Sequence, residues 1–340
     1  MNNILLNNLN FKKTTNVPIW LMRQAGRYME DYHVVKRKFN NFIEMCKNEE
    51  ALIEITLQPI KKFDFDAAII FSDILLILDA INIEVNFIQG KGPFVDNTKT
   101  LKNIKSLVKE LDKEKVNPCY NAIKSIKKEL IDKPLIGFAA APWTLASYYI
   151  EGHLTKNLSV IKSYSYKNPD KMEYIINLFS DLIVEHLINQ IESGVDIIQI
   201  FDTHSYQMDY NMNKKYSIQQ MKKISKGIKK KHPNIPIIYY TKNFQFDDNN
   251  IEEYINCLSL NSNVNLKRET KYFKKDFCFQ GNLDPFLLVE GGKIMVEEIN
   301  NILNIMKDKF FIFNLGHGVL PQTPVKNVLR LIETVRNFKK

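Results

Sequence analysis

Pro18-Ile19-Trp20-Leu21-Met22-Arg23-Gln24-Ala25-Gly26-Arg27-Tyr28 is a short apolar run that breaks abruptly into charge. Residues 18–22 read as a buried strand. Arg23 and Arg27 then follow around an Ala-Gly pair. Gly26 permits a tight backbone path and Ala25 leaves room beside it, so the arginines fall on a loop or first helical turn at the mouth of the strand. A guanidinium presents a fixed fork of donors matched to carboxylate or phosphate. Two such forks beside a core strand suit an anion with several acidic groups. The alternative is a pair of arginines salt-bridged to Glu30, Asp31 or a neighbouring helix. How often the chain repeats this pattern, an apolar run with a polar end, decides the fold.

The pattern recurs to the end of the chain. Strands are expected at 67–71, 134–139, 196–201, 235–240, 257–260, 277–279 and 310–313, the sixth of the eight being the weakest. Helices alternate with them. One starts at the N-cap Asn48, with Glu49 and Glu50 in its first turn and Pro59 expected to kink or shorten it. Others are read at 118–130, at 142–148, at 170–193 with Gly194 as its stop, at 212–232, 251–255 and 293–306, and from Pro324 onward. Residues 81–95 alternate around Gly90-Lys91-Gly92-Pro93, which reads as a hairpin inserted in a loop. Eight strand–helix units argue for an α/β protein, a single (β/α)8 TIM barrel with an inserted hairpin. No linker or low-complexity segment divides it, so residues 1–340 read as one domain. A doubly wound sheet is the alternative, but no Gly-x-Gly-x-x-Gly follows the first strand.

Composition narrows the function classes. The 340 residues are 45% hydrophobic and 25% charged, ordinary for a soluble protein with a sizeable core. Met1 to Lys13 lacks a signal-peptide apolar run, and no stretch reaches the ~18 to 20 apolar residues of a membrane span. Cys46, Cys119, Cys257 and Cys278 are scattered, which indicates neither a disulfide framework nor a zinc knuckle, so a cytoplasmic protein is expected. Cys257 and Cys278 are expected to pack as small hydrophobes. The net charge of +9 comes from lysines spread over helix faces. That argues against nucleic acid and leaves only a mild attraction for anionic small molecules.

The strand ends carry the chemistry. In such barrels catalytic groups sit at the C-terminal ends of the strands. Here those ends hold Arg23 and Arg27, then Asp73, then Trp143 and Tyr148, then Asp202, Thr203 and His204, then Gln280 and Asn282, and last His317 between two glycines. Each alone has a structural alternative: Asp73 as a helix cap, Tyr148 as packing, His317 bonded to backbone. Together they bring guanidinium, carboxylate, phenol and imidazole to one place. No Gly-x-Ser-x-Gly elbow, phosphate-cradling loop or spaced metal set accompanies them. The reading is a metal-free, cofactor-free site for a polyanion, with one carboxylate held among cations.

Six blocks, Pro18 to Tyr28, Phe71-Ser72-Asp73-Ile74-Leu75, Gly90-Lys91-Gly92-Pro93, Ala141-Pro142-Trp143-Thr144-Leu145, Gln280-Gly281-Asn282-Leu283-Asp284-Pro285 and Asn314-Leu315-Gly316-His317-Gly318, resemble the uroporphyrinogen decarboxylase family in order and spacing. The resemblance implies a homodimeric (β/α)8 barrel of tetrapyrrole and haem biosynthesis. It implies conversion of the four acetate side chains of uroporphyrinogen III to methyls, giving coproporphyrinogen III and CO2 without metal or organic cofactor. Asp73, Arg23 and Tyr148 would be catalytic; Arg23, Gln24, Arg27, Asp73, Tyr148, Thr203 and His317 would bind substrate. The sequence departs from the family at Ser259-Leu260-Asn261, where Gly-Leu-Asp is usual, and lacks the usual glycines after His204. A zinc- and cobamide-dependent methyltransferase of the same superfamily is the alternative. Relatives of that kind carry His-x-Cys at a strand end, whereas the fifth strand here ends in Thr241-Lys242-Asn243.

Overall fold

A computed structural model describes residues 3–88, 92–97, 100–153, 155–243, 250–274 and 276–339. Its strands, apart from the antiparallel pair at 84–88 and 92–96, are runs in which nearly every side chain is buried, as a parallel sheet covered on both faces requires. They are β1 (Ala68–Ile69), β2 (Glu84–Ile88), β3 (Gly92–Asp96), β4 (Leu135–Ala140), β5 (Ile197–Asp202), β6 (Ile237–Thr241), β7 (Cys257–Leu260), β8 (Cys278–Leu283) and β9 (Phe310–Leu315). Seven form one parallel sheet in the order β1-β4-β5-β6-β7-β8-β9, each strand beside the next as in a barrel wall. The weakest expected strand, 257–260, is present with those bounds and is buried throughout.

The first expected strand differs from the others. Residues 18–22 close the wall between β9 and β1, but among the described residues their one bridge is the parallel pair Ile19↔Phe313. The Phe313 N–H donates to the Pro18 carbonyl at 2.8 Å, and the Asp66 N–H to the Ile19 carbonyl at 2.9 Å. The reason no full ladder forms lies in the donors. Pro18 has none. The N–H groups of Ile19, Leu21 and Met22 donate to side chains, to Asp66 Oδ2 at 2.7 Å, Gln24 Oε1 at 3.3 Å and Asn314 Oδ1 at 3.0 Å. The eighth stave is thus held by side chains that substitute for strand carbonyls.

A buried polar chain runs inside the barrel. The Trp20 indole donates to Gln280 Oε1 at 2.8 Å, and the Gln280 amide donates to Ser259 Oγ at 2.9 Å. Cys257 and Cys278 are register partners on β7 and β8 and are wholly buried, and burial pushes the Cys257 thiol well up.

The outer helices follow their signals, with four differences, the first being that the helix expected at 118–130 is Lys113–Glu129, with Pro118 inside it. Asn48 caps Glu49–Phe63, but Pro59 lies inside this helix, which runs on to Phe63. Packing of its buried face, including Leu52, Ile55 and Thr56, outweighs the lost hydrogen bond. The helix expected over 212–232 is interrupted by a π turn at Lys214–Ile218. A single 3₁₀ turn, Ile251–Glu253, replaces the helix expected at 251–255. Gly194 ends Pro169–Ser193 with φ +118°, as expected. β2 and β3 pair antiparallel, while 89–91, with Gly90 and Lys91 of the expected turn, lie outside the described residues.

Candidate active site

The arginine loop opens at the C-terminal end of the 18–22 stave. Arg23 adopts φ +61°, a left-handed conformation uncommon for a side-chain-bearing residue. Gly318 makes room for it: a Cβ there would overlap Arg23 Cδ and lie 2.7 Å from Arg23 Cγ. Arg23 stays open to solvent although protein atoms crowd its guanidinium, as on the wall of a cleft. That crowding lowers its pKa; Tyr148 opposes the shift and Arg27 adds to it. The salt-bridge alternative fails on the acids: Glu30 pairs with Arg37 at 2.9 Å and Asp31 with Lys62 at 2.7 Å. Among the described residues neither arginine has an ion-pair partner.

Gln24, expected to contact substrate, is turned inward instead. It is 1% exposed; its amide donates to the Ala67 carbonyl at 3.1 Å and its Oε1 accepts from Leu21 N–H at 3.3 Å. Its side chain braces the loop that carries the arginines and is not offered to the cleft.

Asp73 follows β1. Its Oδ1 accepts from the Leu75 N–H at 3.1 Å, yet burial dominates and pushes its pKa up to about 6. The arginines are not bonded to it. Tyr148 lies on helix Pro142–Glu151, nearly buried, its pKa pushed up to about 12 by burial and then by the charge of Asp73. Its ring lies 4.9 Å from that of His204.

The end of β5 contains both a structural knot and a site wall. Asp202 is fully buried; Oδ1 accepts from the Thr144 hydroxyl at 3.0 Å, and Oδ2 from Ser217 at 2.5 Å and Tyr239 at 2.8 Å. Thr144 Oγ1 also accepts from the His204 N–H at 3.2 Å. The π turn that broke the expected helix delivers Ser217 to this knot, and stacks Tyr216 on Trp143 at 5.8 Å. Asp202 and Trp143 therefore hold the wall together, while Thr203 stands half-buried between Asp202 and His204. Burial lowers the His204 pKa to about 4, so its ring is neutral.

His317 closes the ring. It stacks on Tyr240 with centroids 6.1 Å apart, and the Tyr240 hydroxyl donates to the Gly316 carbonyl at 3.0 Å. Burial, then Lys242 and Arg23, lowers the His317 pKa to about 3, so this imidazole offers a hydrogen bond rather than a charge. Gln280 and Asn282 are consumed internally: the Asn282 amide donates to the carbonyls of Asn261 at 2.9 Å and Val264 at 3.0 Å. Reading the sequence missed Tyr240 and Lys242. Tyr240 looks like one more strand residue, and the polar end Thr241-Lys242-Asn243 was the available signal.

Electrostatic contacts link Arg23 with Tyr148, Arg27, Tyr240 and Lys242, and Tyr148 with Asp73. The mouth thus brings together Arg23, Arg27, Asp73, Tyr148 and His317. It holds unpaired cations, neutral hydrogen-bonding rings and one carboxylate. Such an arrangement has the chemistry to hold a polyanion and to stabilise a positive charge beside Asp73.

The family model described as Uroporphyrinogen decarboxylase (URO-D) matches residues 1–338. Proteins named uroporphyrinogen decarboxylase are similar along nearly their whole length. That of Rickettsia bellii is 40% identical, over 95% of this chain and 95% of its own. That of Rhodospirillum rubrum is 36% identical, over 94% of this chain and 92% of its own. Among solved structures, a methyltransferase from Methanosarcina mazei aligns with TM-score 0.80 at 18% identity, over 98% of this chain and 97% of that one. The last is a likeness of fold.

Proposed function

The chain belongs to the uroporphyrinogen decarboxylase family, and from that premise we propose that its barrel mouth removes CO2 from the four acetates of uroporphyrinogen III, giving coproporphyrinogen III. It is a decarboxylase of tetrapyrrole biosynthesis, and the methyltransferase alternative is not favoured by its relatives. Expulsion of CO2 from an acetate on a pyrrole needs an electron sink. Protonation of the ring carbon beside the acetate makes the pyrrole a cation able to accept those electrons. The exocyclic carbon is then protonated to a methyl and the ring proton leaves, so each cycle exchanges one CO2 for one proton.

One observation supports this reading most: Asp73 is a crowded carboxylate with no bonded cation, in a mouth otherwise rich in unpaired cations. It suits a counter-charge for the pyrrole cation and an acceptor for pyrrole N–H groups. A preorganised charge of this kind acts most strongly where water is excluded. Arg23 and Tyr148 flank the reacting acetate, with Tyr148 keeping its proton; Arg27, Thr203 and His317 hold other parts of the substrate. Gln24 supports this set through the loop it braces. We assign residues 1–340 to one functional barrel, working as a cytoplasmic homodimer, and no helix among the described residues is long and apolar enough to cross a membrane.

The test is turnover of chemically reduced uroporphyrin III, with products counted by their remaining carboxyls. Full activity is expected after stripping with a strong chelator, because the substrate's own pyrrole is the electron sink. Activity that vanished on stripping and returned with zinc would sink the reading.

Arg23→Lys and Arg27→Ala are each expected to weaken binding of uroporphyrin roughly ten- to a hundred-fold, the worth of a charge-assisted hydrogen bond. Lysine keeps the charge of Arg23 but not its fork. Fluorescence titration reads this directly, and unchanged affinity in both variants removes the pair from substrate binding.

A further inference from the structure

Lys242 is a cation that the reaction above leaves unused. It follows Thr241 at the end of β6, where residues 241–243 are firmly pinned. Ser205 Oγ accepts from the Lys242 N–H at 3.0 Å and the Asn243 N–H at 3.2 Å, and bonds Thr241 Oγ1 at 2.9 Å. The Asn243 amide donates to the carbonyls of Ser205 and Met208, both at 3.2 Å. A solvated surface lysine has no need of such anchoring.

The side chain faces the mouth. Its Nζ lies 5.5 Å from the centroid of the Tyr206 ring. Its charge acts on His204 and His317, and Arg23 acts on it in turn. It is half-buried, and among the described residues no carboxylate is in ion-pair contact with it. Counting the 18–22 stave as the first of eight, β6 is the fifth, so Lys242 stands on the wall opposite Arg23.

We infer that Lys242 is a substrate-binding residue that grips a carboxylate on the far rim of the macrocycle from the acetate reacting beside Arg23 and Asp73. The inference rests on the decarboxylase reading. A ring with acidic side chains all round its edge presents carboxylates to both walls at once. The gripped carboxylate does not react, so its contact is the same in ground and transition states. Such uniform binding sets KM and leaves kcat alone.

The experiment compares Lys242→Gln and Lys242→Arg with the parent full-length chain. Turnover of uroporphyrinogen III and binding of uroporphyrin, a non-reacting probe, are both measured. Lys242→Gln is expected to raise KM and the probe Kd roughly ten- to a hundred-fold with kcat near the parent value. Lys242→Arg is expected to restore most of both. Unchanged KM and Kd in Lys242→Gln, or a fall in kcat alone, overturns the inference. Should Lys242→Gln fail to fold, Lys242→Arg decides: binding as weak as in an arginine-loop variant overturns it, and near-parent binding upholds it. If the parent bound uroporphyrin but did not decarboxylate its reduced form, the decarboxylase reading would fall, while the probe titration would still judge Lys242 as a carboxylate grip.

Discussion

Asp73→Asn is expected to yield a folded protein that has lost nearly all decarboxylase activity. Asparagine keeps the size of the side chain and the Oδ1 that accepts from Leu75 N–H. It removes the charge. Loss of one preorganised electrostatic contact typically costs about 10²–10³ in kcat, and a full counter-charge belongs at the upper end or beyond. The same variant should melt no lower than the parent. The folded-state pKa of about 6 lies above the ordinary 3.8, so the folded protein binds the Asp73 proton more tightly than the unfolded chain. Between those values stability falls as pH rises, and above pH 6 the ionised carboxylate is a net cost. Asp73→Asn removes that cost, so its advantage in Tm should appear above pH 6 and close below pH 4. The parent's kcat/KM should fall about tenfold per unit below pH 6, where Asp73 becomes neutral. Parent-like turnover by the purified variant would remove Asp73 from the mechanism.

Gly318→Ala is expected to separate activity from stability. Gly318 has no left-handed φ, so alanine fits its backbone. The methyl enters the space of the Arg23 side chain, against Cγ and Cδ. A flexible side chain can swing away at small cost in stability, but its guanidinium then leaves the place where substrate meets it. Displacement by about 1 Å costs on the order of 10²-fold in rate. The expected result is a Tm near the parent's with kcat/KM reduced about a hundredfold. Parent-like kinetics would show that the position of Arg23 is not critical.

Much of the barrel was legible in order along the chain. Strands in the parallel wall are buried on both faces and so read as continuous apolar runs, whether strong like 196–201 or weak like 257–260. Asn48 and Gly194 marked helix ends because caps satisfy backbone groups locally. The polar residues that break the apolar runs marked the mouth for a related reason: a charge between two packed layers is costly unless hydrogen bonds hold it, as they hold Asp202, so charges collect at the edge.

The burial of runs, the turns between them and the charged ends of strands are properties of neighbouring residues, and these the sequence determined by itself. Which groups at those ends face the cleft depended on partners far away in the chain. Gln24 turns inward because the Ala67 carbonyl awaits it, and Asp202 is spent on Thr144, Ser217 and Tyr239. Met22 takes its acceptor from Asn314, 292 positions on, and Arg23 takes its space from the missing side chain of Gly318. Packing of neighbouring elements decided the first two and closing the barrel the last two, because a hydrogen-bond donor or a volume is assigned only when the elements that share it meet.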